Sequence, residues 1–446
     1  MKNVAAKSFT AEQLRNLITG PDELALIDLR EGGVFSQSHL LFAANCPLSR
    51  LELLIEKIVP RKSVLLVVCT NDLDTKRSEK GLRRLAALGY TNLGQLEGGI
   101  EAWQNAGYEL FSGVHVPSKA FGEFVEANAG TPHISAADLA TKTANGEDII
   151  VLDSRPFNEY HNMNIPNGID VPGAELAYRI HDLAPNPETT VVVNCAGRTR
   201  SIIGAQSLIN AGVPNPVVAL ENGTMGWHLA GFELERGQRR NFNEVSPDAL
   251  VVAEMRAAMV RDRFEVPVTD HAQVSTWRKD PTRTTYLLDV RDPAEFQQAH
   301  LPGSKSSPGG QLVQATDLYV GVRRARLVLI DDTGVRASMS ASWLIQMGWH
   351  DVHVLYGISA LFTESGIQQQ QISNLNQQPI EYISAEKLRD ALEGPEKVHV
   401  ADLATSLQYR DQGHIPGAWF TVRSHMPENL SFANESELIV LTSPDG

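Results

Sequence analysis

Cysteine is scarce in this chain of 446 residues, which contains only Cys46, Cys69 and Cys195. Three thiols at such wide separations are too few for a disulfide framework, and they fit a reducing compartment. The sequence also lacks C-x-x-C pairs and clusters of cysteine and histidine with the spacing of zinc ligands. We therefore expect no bound metal, and no motif in the sequence indicates another cofactor.

Long apolar runs and an excess of positive charge are also missing. The first residues, MKNVAAKSFTAEQ, lack the apolar core of a signal peptide, and no run approaches the length that crosses a bilayer. Lys and Arg number 39 against 53 Asp and Glu, which gives a formal net charge of -14. Because phosphate binding needs clustered positive charge, these features predict a soluble cytoplasmic protein without membrane or nucleic acid partners.

One sequence pattern occurs four times along the chain. Each copy has a short apolar run that ends in an acid, and these acids lie 125, 136 and 113 residues apart. They are Asp28, Asp153, Asp289 and Asp402. A second marker keeps separations of 125, 136 and 114 residues. Its positions are Leu41, Pro166, Pro302 and Pro416. This agreement indicates four tandem modules.

The pattern within a module predicts alternating strands and helices. SVLLVVC, TTVVVNC and ARLVLID are β-branched runs without strict alternation, which is typical of central parallel strands covered on both faces. The fold class is therefore α/β, in modules of about 110 residues. We place the modules at residues 1–114, 132–236, 263–367 and 380–446. Composition indicates linkers at 113–132 and 368–379, and DALVVAEMRAAMVRDRF predicts an extra helix between modules two and three.

Cys195 stands where the second apolar strand of module two leads into a helix, in the stretch CAGRTRS. Gly197 permits a tight loop that aims successive backbone N–H groups at the first side chain. These donors, the positive end of the following helix and the guanidinium groups of Arg198 and Arg200 would stabilise a thiolate and a bound anion. A cysteine nucleophile needs such stabilisation near neutral pH. The alternative is a small buried apolar side chain at a strand end.

Four stretches of module two resemble the rhodanese (sulfurtransferase) domain: VLDSR, NIPNG, CAGRTRS and LENGTMGW. Module one is similar to this family at IDLR and LEGGIEAW, module three at LDVRDPAEF and HLPG, and module four at HIPGA. The resemblance covers nearly the whole chain, and the cysteine loop of module two is its most specific part. It implies tandem repeats of the rhodanese fold, each a parallel five-stranded sheet flanked by helices.

The same resemblance implies a chemistry for module two. Cys195 would alternate between thiolate and persulfide, taking sulfur from a small anionic donor such as thiosulfate and passing it to cyanide or a thiol. The following backbone would hold the persulfide, and two arginines would attract the donor. The implied binding residues are Ala196, Gly197, Arg198, Thr199, Arg200 and Ser201.

The other three loops depart from the pattern of module two. Cys69, a candidate second nucleophile, begins a loop that is three residues longer and contains Asp72 and Asp74, whose charges oppose a thiolate. Asp332 stands in place of the thiol in module three, which we expect to be inactive because a carboxylate cannot carry sulfane sulfur. Ser443 stands in its place in module four. The sequence ends three residues later, so we expect an incomplete module with an open sheet edge and apolar face.

Two other functions are compatible with a cysteine loop. Some phosphatases share this fold, but their chemistry needs an arginine six residues past the nucleophile, where Ser201 and Thr75 stand instead. The second alternative is a non-enzymatic persulfide carrier or interaction scaffold built of tandem modules, since three of the four loops are weakened. Repeated turnover would favour the enzyme, and a single stoichiometric persulfide would favour the carrier.

The repeated acids are interpreted as structural. Each of Asp28, Asp153 and Asp289 precedes an arginine by two residues. We expect ion pairs at helical spacing, between Arg155 and Glu159 in module two. The corresponding pair in module three is Arg291 and Glu295.

Overall fold

The computed structural model describes residues 6–71, 75–366, 381–395, 397–431, 433 and 437–444. Asp72 and Asp74, and the linker predicted at 368–379, lie outside these residues. Within them, no helix has the length and apolar character needed to cross a membrane.

Module one is a parallel sheet flanked by helices, as the sequence predicts. Its strands are β1 (Lys7–Phe9), β2 (Leu24–Asp28), β3 (Ala44–Asn45), β4 (Leu65–Cys69) and β5 (Leu93–Leu96). Its helices are α1 (Ala11–Thr19), α2 (Gly32–Phe35), α3 (Leu51–Ile58), α4 (Thr75–Ala87) and α5 (Gly99–Asn105). Strands β1, β5, β4 and β2 are neighbours in that order, and β3 also pairs with β2. Every residue of β2 is buried because helices cover both faces.

A helix follows module one where the composition indicated a linker. This helix, α6, spans Val116–Ala129, so the segment at 113–132 that composition indicated as a linker is largely helical. Gly122 does not break the helix, because it allows close packing on Thr199 of module two: a Cβ atom at Gly122 would lie 2.9 Å from the Thr199 methyl carbon. The ring of Phe121 also packs edge-on against Trp343 of module three, at 6.0 Å between ring centroids. Helix α6 therefore joins modules two and three.

Module two has the predicted five-stranded parallel sheet. Its strands are β6 (His133–Ile134), β7 (Ile149–Asp153), β8 (Ile169–Asp170), β9 (Thr190–Asn194) and β10 (Val217–Leu220). Its helices are α7 (Ala136–Ala144), α8 (Phe157–Asn162), α9 (Glu175–Leu183), α10 (Thr199–Asn210) and α11 (Gly223–Leu229). The strand order is β6-β10-β9-β7-β8. The carboxyl ends of the central strands β7 and β9 therefore meet at one edge of the sheet.

The extra helix predicted between modules two and three is confirmed as α12 (Pro247–Arg263). The side chain of Ser246 caps its first turn by accepting a hydrogen bond from the Ala249 N–H group. Its buried stripe consists mostly of alanine, with Ala249, Ala253 and Ala257 at four-residue spacing. Small side chains at this spacing allow the helix to lie close to α9 of module two.

Module three contributes one of its strands to module one. Its strands are β11 (Thr285–Asp289), β12 (Lys305–Ser306), β13 (Val322–Arg323), β14 (Arg326–Ile330) and β15 (Val352–Leu355). Its helices are α13 (His271–Arg278), α14 (Pro293–Gln298), α15 (Gly309–Gln314), α16 (Thr316–Tyr319) and α17 (Val335–Gln346). Strand β13 pairs antiparallel with β2 of module one, with Val322 opposite Ala25. Sheet one thus has six strands and sheet three has four, in place of the expected five each.

Module four is described over a smaller region. Its strands are β16 (Val398–Asp402), β17 (Trp419–Phe420) and β18 (Leu438–Thr442), which form a three-stranded parallel sheet. Its helices are α18 (Ala385–Glu393), α19 (Ser406–Asp411) and α20 (Met426–Asn429). Leu438, Ile439 and Leu441 on β18 are exposed among the described residues.

The first three modules share one apolar core. A single cluster of buried side chains runs from Ile27 in module one through Val193 in module two to Leu329 in module three. Module four has a separate small core of Leu388, Val400, Ala418 and Val440. The predicted α/β architecture of tandem parallel sheets is confirmed, and modules one to three form a single packed body.

Asp170 on β8 makes the stability of module two dependent on pH. Its Oδ1 atom is buried without a hydrogen-bond partner in the described structure. Burial, assisted by the charge of Asp153, raises the pKa of Asp170 from 3.8 to about 8. The folded protein therefore keeps this proton between about pH 4 and 8, where the unfolded chain has lost it. The free energy of unfolding should consequently decrease as the pH rises across this range.

We predict that Asp170→Asn removes this decrease and makes the packed body of modules one to three more stable than in the wild type at pH 9. The measurement is the denaturant midpoint of both proteins at pH 5 and pH 9, with the exposed Asp262→Asn as the control. Equal pH dependence in the wild type and Asp170→Asn would show that Asp170 ionises normally in the folded protein.

Candidate active site

The register of the two central strands identifies the equivalent loop positions of the four modules. In each module the strand that ends in the repeated acid pairs in parallel with the next central strand. The partners of the four acids are Cys69, Asn194, Ile330 and Thr442. The first residue after the strand, where the loop begins, is therefore Thr70, Cys195, Asp331 or Ser443. This position is called the loop-start position below.

The register corrects the prediction for Cys69. This residue is the last of β4 and corresponds to Asn194, whereas Thr70 corresponds to Cys195. The Thr70 carbonyl accepts the N–H of Ile100, just as the Cys195 carbonyl accepts the N–H of Thr224. Cys69 is wholly buried in the apolar core, and this burial raises its pKa well above the ordinary value. Cys69 is therefore unsuited to act as a second nucleophile.

The register also corrects the prediction for module three. Asp289 pairs with Ile330, so Asp331 and not Asp332 replaces the thiol. Helix α17 begins at Val335, four residues after Asp331, and α10 begins at Thr199, four residues after Cys195. Both loops contain a glycine, but Gly197 lies two residues after Cys195 and Gly334 lies three residues after Asp331, so the two occupy different places in the loop. For module four the register places Ser443 at the loop-start position, as predicted.

Cys195 lies at the carboxyl end of β9, directly below the first turn of α10. The residue is 2% exposed. Its Sγ atom accepts a hydrogen bond of 3.0 Å from the hydroxyl of Ser201. A hydroxyl donor therefore faces the sulfur of Cys195, whereas Cys69 lies among the apolar side chains of a core.

Close backbone contacts with α11 fix the path of the loop behind Cys195. The Cys195 carbonyl accepts the N–H of Thr224 at 2.8 Å, and the Ala196 carbonyl accepts the N–H of Met225 at 3.1 Å. Gly223 has a φ of +54°, and a Cβ atom there would lie 2.3 Å from the Cys195 carbonyl oxygen. Only glycine fits at this position, so α11 holds the loop from below.

In the loop of module three, two main-chain N–H groups point at the side chain of the loop-start residue, Asp331. Oδ2 of Asp331 accepts the N–H of Arg336 at 2.8 Å and the N–H of Ala337 at 3.3 Å. These two residues correspond to Arg200 and Ser201, with the same 136-residue offset as the repeated acids. Among the described residues, the hydrogen bond to Cys195 Sγ comes from the side-chain hydroxyl of Ser201. Main-chain donors of the kind expected at Cys195 instead bind the carboxylate of Asp331 in module three.

Arg198 forms ion pairs with helix α6, although the sequence predicted that its charge would be free to attract an anionic donor. Its guanidinium donates two hydrogen bonds of 2.9 Å to Glu123 and also contacts Glu126, both on α6. The hydrogen bond to Glu123 raises the pKa of Arg198 and lowers that of Glu123. Two carboxylates therefore cancel the positive charge that was expected to attract an anionic donor.

Arg200 is also paired. It donates bonds of 2.9 and 2.7 Å to the carboxylate of Glu159 on α8, and its Nη1 atom lies 3.4 Å from the amide oxygen of Gln311 in module three. Burial opposes the charged form of Arg200, but the ion pair with Glu159 outweighs it, so its pKa lies above the ordinary value. This ion pair holds the first turn of α10 against α8 of the same module.

An open cleft of about 600 Å³ lies over the loop. Gly197, Arg198 and Thr199 line it from the loop side. Met225 and Leu229 of α11 form an apolar rim and are 44% and 80% exposed. No atom lies within 4 Å of a Cβ built on Gly197, so the loop faces open space there. The cleft brings the predicted binding residues Gly197, Arg198 and Thr199 to the surface, while Cys195 and Ser201 lie beneath.

The acids before the arginines form ion pairs that sequence reasoning assigned differently. Asp153 pairs with Arg155 at 2.7 Å, and both side chains are buried. Glu159 pairs with Arg200 instead of Arg155. Asn194 links this pair to the loop, because its amide donates to Asp153 Oδ2 at 2.9 Å and to Thr224 Oγ1 at 3.0 Å.

Modules one and three repeat this arrangement. Arg30 pairs with Asp28, and Arg291 pairs with Asp289 rather than with Glu295, which contacts Arg336. The D-x-R spacing that recurs in three modules is the sequence feature from which these Asp–Arg pairs could have been predicted.

Among the described residues, no group of three or more His, Cys, Asp or Glu side chains is arranged to hold a metal ion.

Cys46 lies at the position equivalent to Val171 and Ser307, where its N–H donates to the carbonyl of the repeated acid. It is wholly buried, and burial raises its pKa above the ordinary value.

Comparisons with known proteins agree with this geometry. A crystal structure of thiosulfate sulfurtransferase from Pseudomonas aeruginosa superposes with a TM-score of 0.92 and 49% sequence identity, over 98% of this chain and 82% of that chain. An uncharacterized protein from Bacillus subtilis is 35% identical over 97 residues, which are 22% of this chain and 71% of that protein.

An HTH-type transcriptional regulator from Mycobacterium tuberculosis is 31% identical over 110 residues, or 24% of this chain. The match spans about half the length (47%) of that regulator. The family model of the rhodanese-like domain matches residues 10–106, 135–230 and 270–360, more than half of the chain. With three matched segments, one in each of the first three modules, the chain belongs to the rhodanese-like domain family.

Proposed function

We propose that the protein is a sulfurtransferase in which module two moves sulfane sulfur through a persulfide on Cys195. The observation that carries this proposal is the loop-start position: of Thr70, Cys195, Asp331 and Ser443, all within the described residues, Cys195 is the one thiol. Similarity to the Pseudomonas thiosulfate sulfurtransferase supports the same chemistry.

In the first step, the Cys195 thiolate attacks the outer sulfur of thiosulfate. A new bond forms between Sγ and that sulfur, the S–S bond of thiosulfate breaks, and sulfite leaves with the bonding electron pair. The enzyme then carries a persulfide on Cys195. The hydroxyl of Ser201, 3.0 Å from Sγ, stabilises the thiolate before the attack by donating a charge-assisted hydrogen bond.

The backbone would hold the negative charge of the outer sulfur. In module three the amides of Arg336 and Ala337 converge on Asp331, and the equivalent amides of module two belong to Arg200 and Ser201. The N-terminus of the twelve-residue helix α10 adds its positive end. Because Arg198 and Arg200 are already paired with carboxylates, these amides and not the guanidinium groups stabilise the transferred sulfur.

In the second step, a nucleophilic acceptor attacks the outer sulfur. The bond between Sγ and that sulfur breaks, and the thiolate of Cys195 is restored. Cyanide would leave as thiocyanate, and a thiol would leave as a persulfide. The acceptor would approach through the cleft over Gly197, beneath which Cys195 is 2% exposed. The exposed Met225 and Leu229 at the rim of this cleft suit an acceptor larger than cyanide.

A persulfide carrier without turnover is the second candidate function. Three loop-start positions hold Thr70, Asp331 and Ser443, which cannot carry sulfane sulfur, so most of the chain serves another purpose than sulfur chemistry. Many thiocyanate molecules formed per Cys195 would establish the enzyme. A single equivalent of transferred sulfur would establish the carrier.

We predict that Cys195→Ala abolishes sulfite and thiocyanate release, because no other loop-start position offers a thiol. The matched control is Cys69→Ala, which removes a thiol one position earlier and should keep the wild-type rate per folded molecule. The measurement is the steady-state release of both products from thiosulfate and cyanide. Activity that survives Cys195→Ala and disappears in Cys69→Ala would reverse the assignment.

Ser201→Ala should lower kcat/KM for thiosulfate by about 10- to 100-fold, because a hydrogen bond to a charged group contributes about 1.5–3 kcal/mol. Thr141→Ala, on the exposed face of α7, is the control. Stopped-flow measurement of sulfite release isolates the first step. An unchanged rate in Ser201→Ala would show that main-chain donors alone stabilise the thiolate.

Replacing Glu123 and Glu126 together by Gln should free Arg198 to attract thiosulfate. We expect KM for thiosulfate to fall by about 2- to 5-fold at low ionic strength, with kcat unchanged, and the difference to shrink in high salt. Glu147→Gln, which breaks a surface ion pair of module two away from the cleft, is the control. A KM that stays at the wild-type value would show that Arg198 does not face the path of the donor.

A further inference from the structure

A second cavity, of about 300 Å³, lies between modules one and three, away from Cys195. It is named the Arg323 cavity here and is lined by Phe42, Gln314, Arg323, Arg324 and Trp349, among others. Its size is at the lower end of the range for small-molecule sites, about 300–1,000 Å³. Strand β13, which joins the sheet of module one, carries Arg323 into its wall.

Two neighbouring arginines in this wall lack a carboxylate partner. Arg323 and Arg324 form no ion pair with any described residue, and the Nε atoms of both are buried without a hydrogen-bond partner. Two other arginines of module three, Arg283 and Arg326, also have an Nε atom without a hydrogen-bond partner, but both contact the carboxylate of Asp351. Arg323 and Arg324 are both half-buried. Because withdrawing a guanidinium group from water without an anion is costly, this pair presents an uncompensated positive charge to the cavity.

The other charged groups of the cavity do not compensate for these arginines. Asp317 also lines it, but its carboxylate lies 2.8 Å from the imidazole of His115. Burial, together with the charge of Arg324, lowers the pKa of Arg323 to about 10, which is the response expected where a cation lacks an anion. The backbone of Arg324 is held at a φ of +63°, a conformation that a non-glycine residue adopts only where its surroundings enforce it.

The other residues that line the Arg323 cavity indicate the further features of a ligand. The guanidinium of Arg323 stacks on the ring of Phe42 at 3.6 Å, and Trp349 and Met347 add further apolar surface. The amide oxygen of Gln314 is buried without a donor among the described residues. A ligand that satisfies these groups has an anionic end, an apolar or aromatic body and one N–H or O–H donor.

We propose that the Arg323 cavity binds a small organic anion of this kind, with Arg323 and Arg324 holding its anionic group and Gln314 accepting a hydrogen bond from its donor. This site is independent of the sulfur chemistry, since it contains no residue of the cysteine loop. Its position between two modules that share a sheet means that a bound ligand would stabilise their association.

The test is isothermal titration calorimetry of the full chain with three probes in low-salt buffer. We expect 4-hydroxybenzoate, which has all three features, to bind saturably with one site per chain. The neutral 4-hydroxybenzamide and inorganic phosphate should each bind at least tenfold more weakly. Failure of 4-hydroxybenzoate to bind, or equal binding of the amide, would overturn the proposal. Equal binding of phosphate would overturn the requirement for an apolar body.

Substitutions test whether 4-hydroxybenzoate binds in the Arg323 cavity. The double variant Arg323→Gln and Arg324→Gln should weaken 4-hydroxybenzoate binding more than tenfold, and Gln314→Leu should weaken it several-fold. Arg389→Gln in module four and Cys195→Ala should bind as the wild type does, which separates this site from the proposed function. Without ligand, the double variant should unfold at or above the wild-type temperature, because it loses two uncompensated charges. Wild-type affinity in the double variant, or a lower unfolding temperature, would contradict the assignment.

Discussion

The backbone hydrogen bonds between the two central strands of each module determine which side chain can do chemistry. Parallel pairing places the repeated acid opposite the last residue of the next strand, so the residue after it begins the loop. A shift of one residue moves a side chain to the other face of a sheet. Cys69 and Cys195 differ by this single step: Cys69 points into a core, and Cys195 meets the hydroxyl of Ser201.

Sequence periodicity predicted the α/β modules, but matching by residue type misplaced two loop-start residues. The offset of 136 residues between Asp153 and Asp289 also leads from Cys195 to Asp331, and the offset of 125 leads back to Thr70. Matching by residue type selected Asp332 and Cys69 instead, since a shared glycine and a shared thiol are conspicuous. Loop geometry follows the strand end, however, so the constant offset was the better guide.

Contacts between modules could not be predicted from the repeats. A repeat describes what modules have in common, whereas their packing depends on residues that differ. Strand β13 pairs with another module, and α12 fits between two others through alanines. Arg198 and Arg200 illustrate the consequence, because the carboxylates and amide around them come from α6, α8 and module three. Charges that a single loop offers to a ligand are partly used to hold the modules together.

The loop of module three shows how the same geometry can serve structure. Asp331 fills the loop with its own negative charge, and Arg336, wholly buried, contacts Asp331 and Asp332 as well as Glu175 of module two at 3.0 Å. An anion-holding loop with a fixed carboxylate cannot release or exchange that anion. In module two the equivalent position holds Cys195, whose sulfur, in the function we propose, gains and loses a second sulfur. The same place in the fold would thus serve sulfur transfer in one module and a permanent interface in the next.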